Sequence, residues 1–260
     1  MALLRFSIPS RVLKVPVEIR VSLPDSGSGF RTLWVLHGAN CDCNEWFDDS
    51  NVVQVTRDHG FALVSVSIFN GFGVNMCYGL PYADFLENEW LPAVRSLFPC
   101  LSQRREDNLI AGASMGGFAA FRLAMNRPEW FCGAGAFAGA VALPTIIERY
   151  QRGVQVGGPD LMFAFGSYEN LINNSNDVVW MTRRRVSEGV CPSLYMVCGT
   201  EDFGYALNTI ARDDLRQAGA QVAWRQGEGI HSFTCWNLWT EDFMQWAEQV
   251  CRDARKEESV

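Results

Sequence analysis

The sequence predicts an α/β fold in which helices cover both faces of a mostly parallel central sheet. Short apolar runs of strand length alternate with longer stretches whose apolar residues recur every three or four positions, as such a fold requires. Of the 260 residues, 48% are hydrophobic, which is enough for one large core. No composition break or repeat divides the chain, so residues 1–260 are predicted to form a single domain.

The predicted sheet begins near the N-terminus. Residues 15–23 alternate between apolar and polar side chains, which indicates a half-buried strand, and Pro16 places that strand near a sheet edge. Residues 33–36 and 61–68 are apolar on both faces, as inner strands are. A Gly- and Ser-rich turn joins the first two runs, so we expect an edge hairpin that leads inward.

The rest of the chain continues the alternation of strands and helices. Apolar residues at helical spacing predict a helix over residues 82–98, kinked by Pro92. A strand over 108–112 leads through a turn into a helix over 118–125. Further runs predict strands at 130–138, 193–198 and 221–225, and helices at 207–218 and 239–254. Residues 141–190 carry a weak pattern, and we expect them to form a small cap insertion over the sheet.

Charge and composition exclude several classes of protein. The net charge of −7 argues against the basic surface that binds nucleic acid. The longest apolar run, residues 131–144, is shorter than the roughly 20 residues of a membrane span, and the first residues lack the pattern of a secretory signal. Nine cysteines are an odd number, so we expect free thiols and a cytoplasmic protein. Composition leaves the oligomeric state open, including a homo-oligomer.

A metal centre is not expected either. Cys41 and Cys43, with His37 shortly before them, have the spacing of half a zinc site. A structural zinc site needs a second group of ligands, and the sequence offers no second cluster with ligand spacing. We therefore interpret the two cysteines as loop residues.

The run Gly112-Ala113-Ser114-Met115-Gly116 carries the strongest chemical signal. It follows a predicted buried strand and precedes a helix, which is the context of the nucleophile elbow in α/β-hydrolases. The turn is so tight that the positions two before and two after the serine require small residues. It exposes the hydroxyl of Ser114 and leaves the amide of Met115 free to donate to an oxyanion. The alternative is a glycine-rich turn that only packs a helix against the sheet.

A serine hydroxyl needs a base, and the order of residues along the chain selects one. Only one histidine, His231, follows Ser114, as the order Ser, acid, His of α/β-hydrolases requires. It comes just after the predicted strand 221–225, in a glycine-rich loop that can direct it toward the serine. The other two histidines, His37 and His59, are interpreted as structural.

The acid of a catalytic triad is expected at the end of a strand between the serine and the histidine. Asp202 occupies that place, three residues after Gly199 closes the run Leu194 to Cys198. Glu201 is the alternative, and a helix-capping role is the structural interpretation of Asp202. We favour Asp202 because the shorter side chain is the commoner triad acid in this fold.

The second oxyanion donor is expected from the loop after the inner strand that ends at Leu36. The sequence there is His37-Gly38-Ala39-Asn40, and Gly38 lets the backbone bend toward the serine. The amide of Ala39 is therefore the candidate donor, with Gly38 as the alternative.

Several segments resemble one family, the esterase D group of α/β-hydrolases, which includes S-formylglutathione hydrolases and tributyrin esterases. The similar segments are Leu36-His37-Gly38 with Trp46 beyond it, the helix from Tyr82 to Pro99, the run from Leu109 to Gly117, Cys198-Gly199-Thr200-Glu201-Asp202-Phe203, and Gly229-Ile230-His231. The resemblance implies an α/β-hydrolase fold without a metal or organic cofactor. Matched by motif, it places the triad at Ser114, Asp202 and His231 and the oxyanion donors at Ala39 and Met115.

The resemblance also suggests a substrate class. The His-Gly oxyanion loop and the Cys-Gly-Thr-Glu-Asp-Phe acid loop resemble those of tributyrin esterases, whereas S-formylglutathione hydrolases carry Gly-Leu-Thr-Cys at the oxyanion loop and share only Cys41. The predicted function is a serine carboxylesterase that hydrolyses small esters with short acyl chains. The alternatives are an S-formylglutathione-type thioesterase, an acetyl or feruloyl esterase acting on plant polysaccharide esters, and an inactive hydrolase fold that binds a ligand or partner.

Aromatic residues flank the predicted catalytic loops. They are Trp46, Phe203, Phe233 and Trp236. Such side chains line hydrophobic acyl pockets, and they equally often pack in a core. We predict that these four contribute to substrate binding, with core packing as the alternative.

Overall fold

Within residues 2–153 and 159–257, which the computed structural model describes, eight strands form one sheet. The strands are β1 (Ala2–Pro9), β2 (Pro16–Leu23), β3 (Thr32–Leu36), β4 (Ala62–Val66), β5 (Asn108–Ala113), β6 (Gly133–Phe137), β7 (Ser193–Gly199) and β8 (Val222–Gly227). Their order across the sheet is β1-β2-β4-β3-β5-β6-β7-β8. The six strands β3 to β8 run parallel to one another, and β2 is antiparallel to both of its neighbours, β1 and β4. The prediction of a mostly parallel sheet is confirmed.

The helices lie between and after these strands. They are α1 (Glu45–Asp48), α2 (Val52–Asp58), α3 (Tyr82–Phe85), α4 (Leu91–Leu97), α5 (Met115–Asn126), α6 (Leu143–Gln151), α7 (Pro159–Phe165), α8 (Val178–Ser187), α9 (Tyr205–Gln217), α10 (Phe233–Trp236) and α11 (Thr240–Glu257). Short 3₁₀ turns cover Arg105–Asp107 and Tyr168–Asn170. In the described part of the chain, no helix has the length and apolar character needed to cross a membrane.

Alternate residues of the inner strands supply two separate cores. Trp34 and Leu36 of β3 face the helices from α3 to α9, whereas Leu33 and Val35 face α1, α2, α10 and α11. All four side chains are essentially fully buried. An inner strand that is apolar on both faces thus requires a helical layer on each side, as the sequence predicts.

The expected edge hairpin between residues 15–23 and 33–36 is wrong. The hairpin is instead formed by β1 and β2, with Pro9 opposite Pro16, and β2 continues the sheet by pairing with β4. β1 was not predicted because its residues are exposed or only partly buried and its two adjacent leucines break the alternation. Prolines at the hairpin end fit, because a strand's terminal residues need not donate to the ladder.

The helical stretch at residues 82–98 is interrupted before Pro92. A π-helical segment, Leu86–Trp90, separates α3 from α4. Proline lacks the amide hydrogen of a regular helix, and its ring crowds the carbonyl four residues earlier, which a wider turn relieves. The segment places Trp90 edge-on against Trp34, with ring centroids 5.2 Å apart.

Residues 141–190 contain α6, α7 and α8, and α7 and α8 lie in different parts of the fold. α8 packs against α5 and α9 in the helical layer of the sheet. The end of α7 instead contacts the loop that follows β4: the Cys77 amide donates to the Ala164 carbonyl, and the Phe165 ring lies against Phe72 of that loop and also against Phe118 of α5. α7 therefore lies over a loop that adjoins the candidate site.

Candidate active site

Ser114 lies in a strained turn between β5 and α5. Its φ of 52° and ψ of −116° are rarely adopted by residues other than glycine. The three shortest backbone hydrogen bonds of Ser114 hold the turn: its amide donates to the Phe137 carbonyl at 2.9 Å, and its carbonyl accepts from the amides of Gly117 and Ala140 at 3.1 and 2.9 Å. The surrounding backbone thus maintains a conformation that leaves the serine half-buried at the end of β5.

The two flanking glycines are sterically required. A Cβ at Gly112 would lie 2.1 Å from the Gly116 carbonyl oxygen, and a Cβ at Gly116 would lie 2.2 Å from the Leu36 carbonyl oxygen. Because the obstructing atoms are backbone, no side-chain rotation could relieve either clash. The glycine pattern therefore reflects the close approach of α5 to the sheet, as the interpretation of an elbow requires.

Asp202 and His231 form a hydrogen-bonded pair. Asp202 Oδ2 lies 2.8 Å from Nδ1 of His231, and Asp202 Oδ1 accepts from the Gly204 amide at 2.7 Å. The carboxylate side chain is 0% exposed, whereas that of His231 is 20% exposed. Since an ionised carboxylate only accepts, Nδ1 carries the imidazole proton and the lone pair of Nε2 is left available as a base.

The loops that carry this pair approach each other closely. The Thr200 amide donates to the Gly227 carbonyl at 2.8 Å, and the Glu201 amide donates to the Gly229 carbonyl at 3.1 Å. A Cβ at Gly199 would lie 2.1 Å from the Gly229 oxygen, so glycine is needed for this contact. Glu201 itself is exposed, and it is the carboxylate of Asp202 that faces the imidazole.

His37 and His59 have other partners. The Ile68 amide donates to His37 Nε2 at 2.9 Å, so the proton is on Nδ1, which donates to the Gly38 carbonyl at 2.7 Å. Burial lowers the pKa of His37, which keeps the ring neutral. His59, at the end of α2, pairs with Glu241 in the first turn of α11 at 3.1 Å. Both roles are structural.

The loop after β3 leaves one amide open. The Gly38 amide donates to Glu45 Oε2 at 2.6 Å, and the Asn40 amide donates to Asn70 Oδ1 at 2.7 Å. Between them, the Ala39 amide has no acceptor among residues 2–153 and 159–257. Met115 is the first residue of α5, so its amide has no partner within the helix. The open amides are thus those of Ala39 and Met115, the two predicted oxyanion donors, whereas the amide of Gly38, the alternative to Ala39, is already bonded to Glu45.

Glu45 is a residue near this loop that the sequence analysis missed. Burial raises the pKa of its carboxyl group, and the Cys41 thiol is its hydrogen-bond partner. Burial, together with this hydrogen bond, raises the pKa of Cys41 to about 12, so the thiol stays protonated. The only signal in the sequence was an acidic residue one position before Trp46, which carries no information about its partner.

The four aromatic residues do not share one environment. Phe203 is 78% exposed and its ring lies over His231, with centroids 4.4 Å apart. Trp236 contacts the imidazole edge-on at 5.0 Å, and Phe233 bridges Trp236 and Trp46. Trp46 is buried and its indole donates to the Leu36 carbonyl at 2.9 Å. Phe203 therefore presents open apolar surface beside the imidazole, and the two tryptophans pack behind it.

An acidic cleft of about 670 Å³ opens beside the loop after β3. Its lining residues are Asn40, Cys41, Asp42, Asn44, Glu45, Asp48, Asp49, Phe69 and Asn70. Asp48 forms a 2.6 Å ion pair with Arg20. In the described residues, Asp42 and Asp49 have no cationic partner within ion-pair distance. The cleft thus carries net negative charge.

The described residues include neither a cluster of metal-ligating side chains nor a disulfide bond. No group of three or more His, Cys, Asp or Glu side chains among them is arranged to hold a metal ion. All nine cysteines lie in this part of the chain, and each is a free thiol.

Comparison with solved structures supports the fold. A substrate-bound structure of FphF, a fluorophosphonate-binding serine hydrolase of Staphylococcus aureus, has a TM-score of 0.83 at 22% identity and covers 95% of this chain and 98% of its own. S-formylglutathione hydrolase FrmB of the same organism, an apoenzyme, has a TM-score of 0.81 at 22% identity, with coverage of 95% and 98%. The chain therefore has the α/β-hydrolase fold.

Comparison of sequences adds the family. An acetyl esterase of Caldicellulosiruptor saccharolyticus is 27% identical over 266 residues, which cover 96% of this chain and 99% of the relative. A family model described as "Putative esterase" matches residues 10–251. With nearly its whole length matched, the chain belongs to this esterase family and is a carboxylic ester hydrolase.

Proposed function

We propose that the protein is a serine carboxylesterase for small esters with short acyl chains, with Ser114 as nucleophile, His231 as base and Asp202 as the acid that orients the base. The observation that carries the proposal is the 2.8 Å contact between His231 and buried Asp202, at the same sheet end as the strained turn of Ser114. A structural histidine would not require a buried carboxylate on one nitrogen and an open second nitrogen.

The first half of the proposed reaction forms an acyl-enzyme. Ser114 Oγ attacks the ester carbonyl carbon while its proton passes to Nε2 of His231, and the carbonyl electrons move onto the oxygen. The amides of Ala39 and Met115 donate to this oxyanion, and the N-terminus of α5 adds the favourable end of its dipole. The intermediate then collapses, the ester C–O bond breaks, and Nε2–H gives its proton to the leaving alkoxide.

The second half releases the acid. Water gives a proton to Nε2 of His231 and its oxygen attacks the acyl carbon, which regenerates an oxyanion under the same two amides. Collapse breaks the bond between the acyl carbon and Ser114 Oγ, which recovers the proton from the imidazolium. Asp202 stabilises the imidazolium in both halves without taking its proton.

Labelling with a fluorophosphonate tests the assignment of the nucleophile. We expect one adduct per chain, formed as Ser114 Oγ displaces fluoride at phosphorus, and located by tandem mass spectrometry on the peptide that contains Ser114. The fluorophosphonate-binding relative makes this probe a suitable choice. An unlabelled protein, or an adduct on another serine, would favour the inactive, ligand-binding alternative.

The acidic cleft supports an oxygen ester over a glutathione thioester. Glutathione carries two carboxylates and one ammonium group, so its thioesters are net anionic. Asp42 and Asp49 line the cleft beside the oxyanion loop without ion-pair partners among the described residues. They repel such a leaving group, whereas neutral or cationic alcohols avoid this cost. The acetyl esterase relative agrees with a small acyl group, and acetylated or feruloylated polysaccharides remain compatible because they are neutral.

A set of aryl acetates that differ only in charge tests this preference. We expect kcat/KM to fall by about tenfold from a trimethylammonio-substituted to a carboxylate-substituted phenyl acetate, because two carboxylates act over roughly 8 Å of partly screened solvent. In an Asp42→Asn, Asp49→Asn double variant the preference should shrink, while turnover of uncharged phenyl acetate stays unchanged. High salt should have the same flattening effect in the wild type. An anionic substrate that is preferred by the wild type would contradict the proposal.

We also propose a cytoplasmic location and a cap insertion over the sheet. The free thiols support a location in the reducing cytoplasm. The α7 segment, lying over the loop after β4, supports the assignment of residues 141–190 as a cap insertion within one hydrolase domain. Comparing turnover of acetyl, butyryl, octanoyl and feruloyl esters identifies the acyl group that the site accepts.

A further inference from the structure

We propose that Glu45 and Asn70 are positioning residues that hold the Ala39 amide in the orientation required to bind an oxyanion. The inference rests on the proposed function, because it assigns roles around the same reaction. Neither side chain is placed to touch the reacting atoms in the proposed mechanism. Each instead accepts a hydrogen bond from a neighbouring amide of the same loop.

Glu45 fixes the peptide before Ala39. Its Oε2 accepts from the Gly38 amide at 2.6 Å, a short charge-assisted bond made by a half-buried carboxylate. The next carbonyl, that of Gly38, accepts from His37 Nδ1 at 2.7 Å. Both polar groups of Gly38 are therefore held from within the fold.

The geometry of a trans peptide then fixes the direction of the Ala39 amide. The structure has no cis peptide bond in its described residues, so the Gly38 carbonyl and the Ala39 N–H point in opposite directions. Because the carbonyl points to the His37 ring, the Ala39 N–H points away from it. Ala39 is exposed, whereas Gly38 is buried, which agrees with an Ala39 N–H directed away from the protein interior.

Asn70 fixes the residue that follows Ala39, which is Asn40. Its Oδ1 accepts from the Asn40 amide at 2.7 Å, and its Nδ2 donates to Asn40 Oδ1 at 2.9 Å. Asn40 has a φ of 63°, in the left-handed region, so these reciprocal bonds maintain a backbone conformation that other residues adopt at a cost. Nδ2 of Asn70 also lies 3.2 Å from Asp160 Oδ2 in α7, which ties the loop to that helix.

The arrangement explains why an acidic residue lies so close to a site that stabilises negative charge. A carboxylate beside an oxyanion is unfavourable by itself, since like charges repel. The hydrogen bond that Glu45 accepts from the Gly38 amide compensates for this repulsion, and the Cys41 thiol donates a second hydrogen bond to the same carboxylate. The acceptor, not the charge, is therefore the feature that the loop requires.

Variants of Glu45 test this. Glu45→Ala should lower kcat for p-nitrophenyl acetate by about 10- to 100-fold with little change in KM, because a misplaced donor costs transition-state rather than ground-state binding. Glu45→Gln retains an acceptor for the Gly38 amide and should recover kcat to within about threefold of wild type. A trifluoromethyl ketone, whose adduct oxygen occupies the oxyanion position, should lose affinity in parallel with kcat/KM across the series.

Glu89 provides a matched control for a structural effect. Its carboxylate also accepts from loop amides, those of Arg11 at 2.6 Å and Val12 at 3.2 Å, in the hairpin far along the sheet. Glu89→Ala should lower the melting temperature without changing kcat. A Glu45→Ala variant with a lower melting temperature but unchanged kcat, like Glu89→Ala, would overturn the inference. A Glu45→Gln variant that loses as much activity as Glu45→Ala would also overturn it.

Asn70 gives an independent test from the other side of the loop. Asn70→Ala should lower kcat by about tenfold, again with little change in KM. Asn75 makes a comparable reciprocal pair with Asp84, at 3.0 Å in both directions, and Asn75→Ala serves as the control. Equal kcat in the two variants would remove Asn70 from the proposal. If Ser114→Ala is inactive while all positioning variants retain full activity, only this inference fails and the proposed function stands.

Discussion

Replacing Ser114 with alanine is expected to lower kcat for p-nitrophenyl acetate by about 10⁵- to 10⁶-fold, which is the scale seen when a triad nucleophile is removed. The oxyanion amides and substrate binding remain, so a small residual rate above that of water should persist. Steady-state kinetics on protein freed of trace esterase measures the loss. Binding of a non-hydrolysable ester analogue should be nearly unchanged, because the hydroxyl contributes to the transition state.

The variant should also keep its fold. The strain at Ser114 lies in its backbone, with a φ of 52°, and alanine experiences it much as serine does. The side-chain hydroxyl has no hydrogen-bond partner in the described part of the chain, so its removal leaves no polar group unpaired. Ser65→Ala, in strand β4, which β3 separates from β5, is a control that should retain full activity. A Ser114→Ala variant with more than about 1% of wild-type kcat would contradict the assigned nucleophile.

The parts of the molecule that could be predicted from the sequence are local or follow from chain order. The elbow is visible because Gly112 and Gly116 avoid clashes with backbone only a few residues away or across one strand. His231 could be proposed because only it follows Ser114. The inner strands could be identified because both of their faces are buried, which leaves no polar alternation.

What the sequence could not predict depends on contacts between distant segments. Glu45 and Asn70 are hydrogen-bonded to amides of the loop after β3 that lie 7 and 30 residues away in sequence, and neither residue has a distinctive neighbour pattern. The pairing of β2 with β4 instead of β3 is likewise a choice among compatible strands, which alternation alone does not determine. Trp46 and Phe203 look alike in sequence, yet one is buried below the loop and the other is exposed beside His231.

Replacing Asp202 with asparagine is expected to cause a second large loss of activity, because the hydrogen bonds of this side chain determine which nitrogen of His231 carries the proton. Gly204 donates its amide to Oδ1 of Asp202 at 2.7 Å, so the oxygen of an asparagine must take that position. The asparagine NH₂ then replaces Oδ2, 2.8 Å from Nδ1 of His231, and donates to it. The imidazole proton is forced onto Nε2, which can no longer accept the proton of Ser114. We expect kcat to fall by about 10³- to 10⁴-fold with little change in KM.

A spectroscopic measurement separates this cause from a loss of structure. In the wild type, ¹⁵N chemical shifts of the His231 ring should identify Nδ1 as protonated, and in Asp202→Asn they should identify Nε2. Glu201→Gln is the control, because it removes one charge from the adjacent, exposed position. It should leave the tautomer of His231 unchanged and alter kcat by no more than about twofold. An Asp202→Asn variant with an unchanged tautomer and a low kcat would mean that Asp202 acts through its charge, and wild-type activity would remove it from the triad. One oxygen of Asp202 accepts from the Gly204 amide and the other from Nδ1 of His231. The buried carboxylate therefore keeps Nε2 of His231 unprotonated, and this is the state in which Nε2 can accept the proton of Ser114.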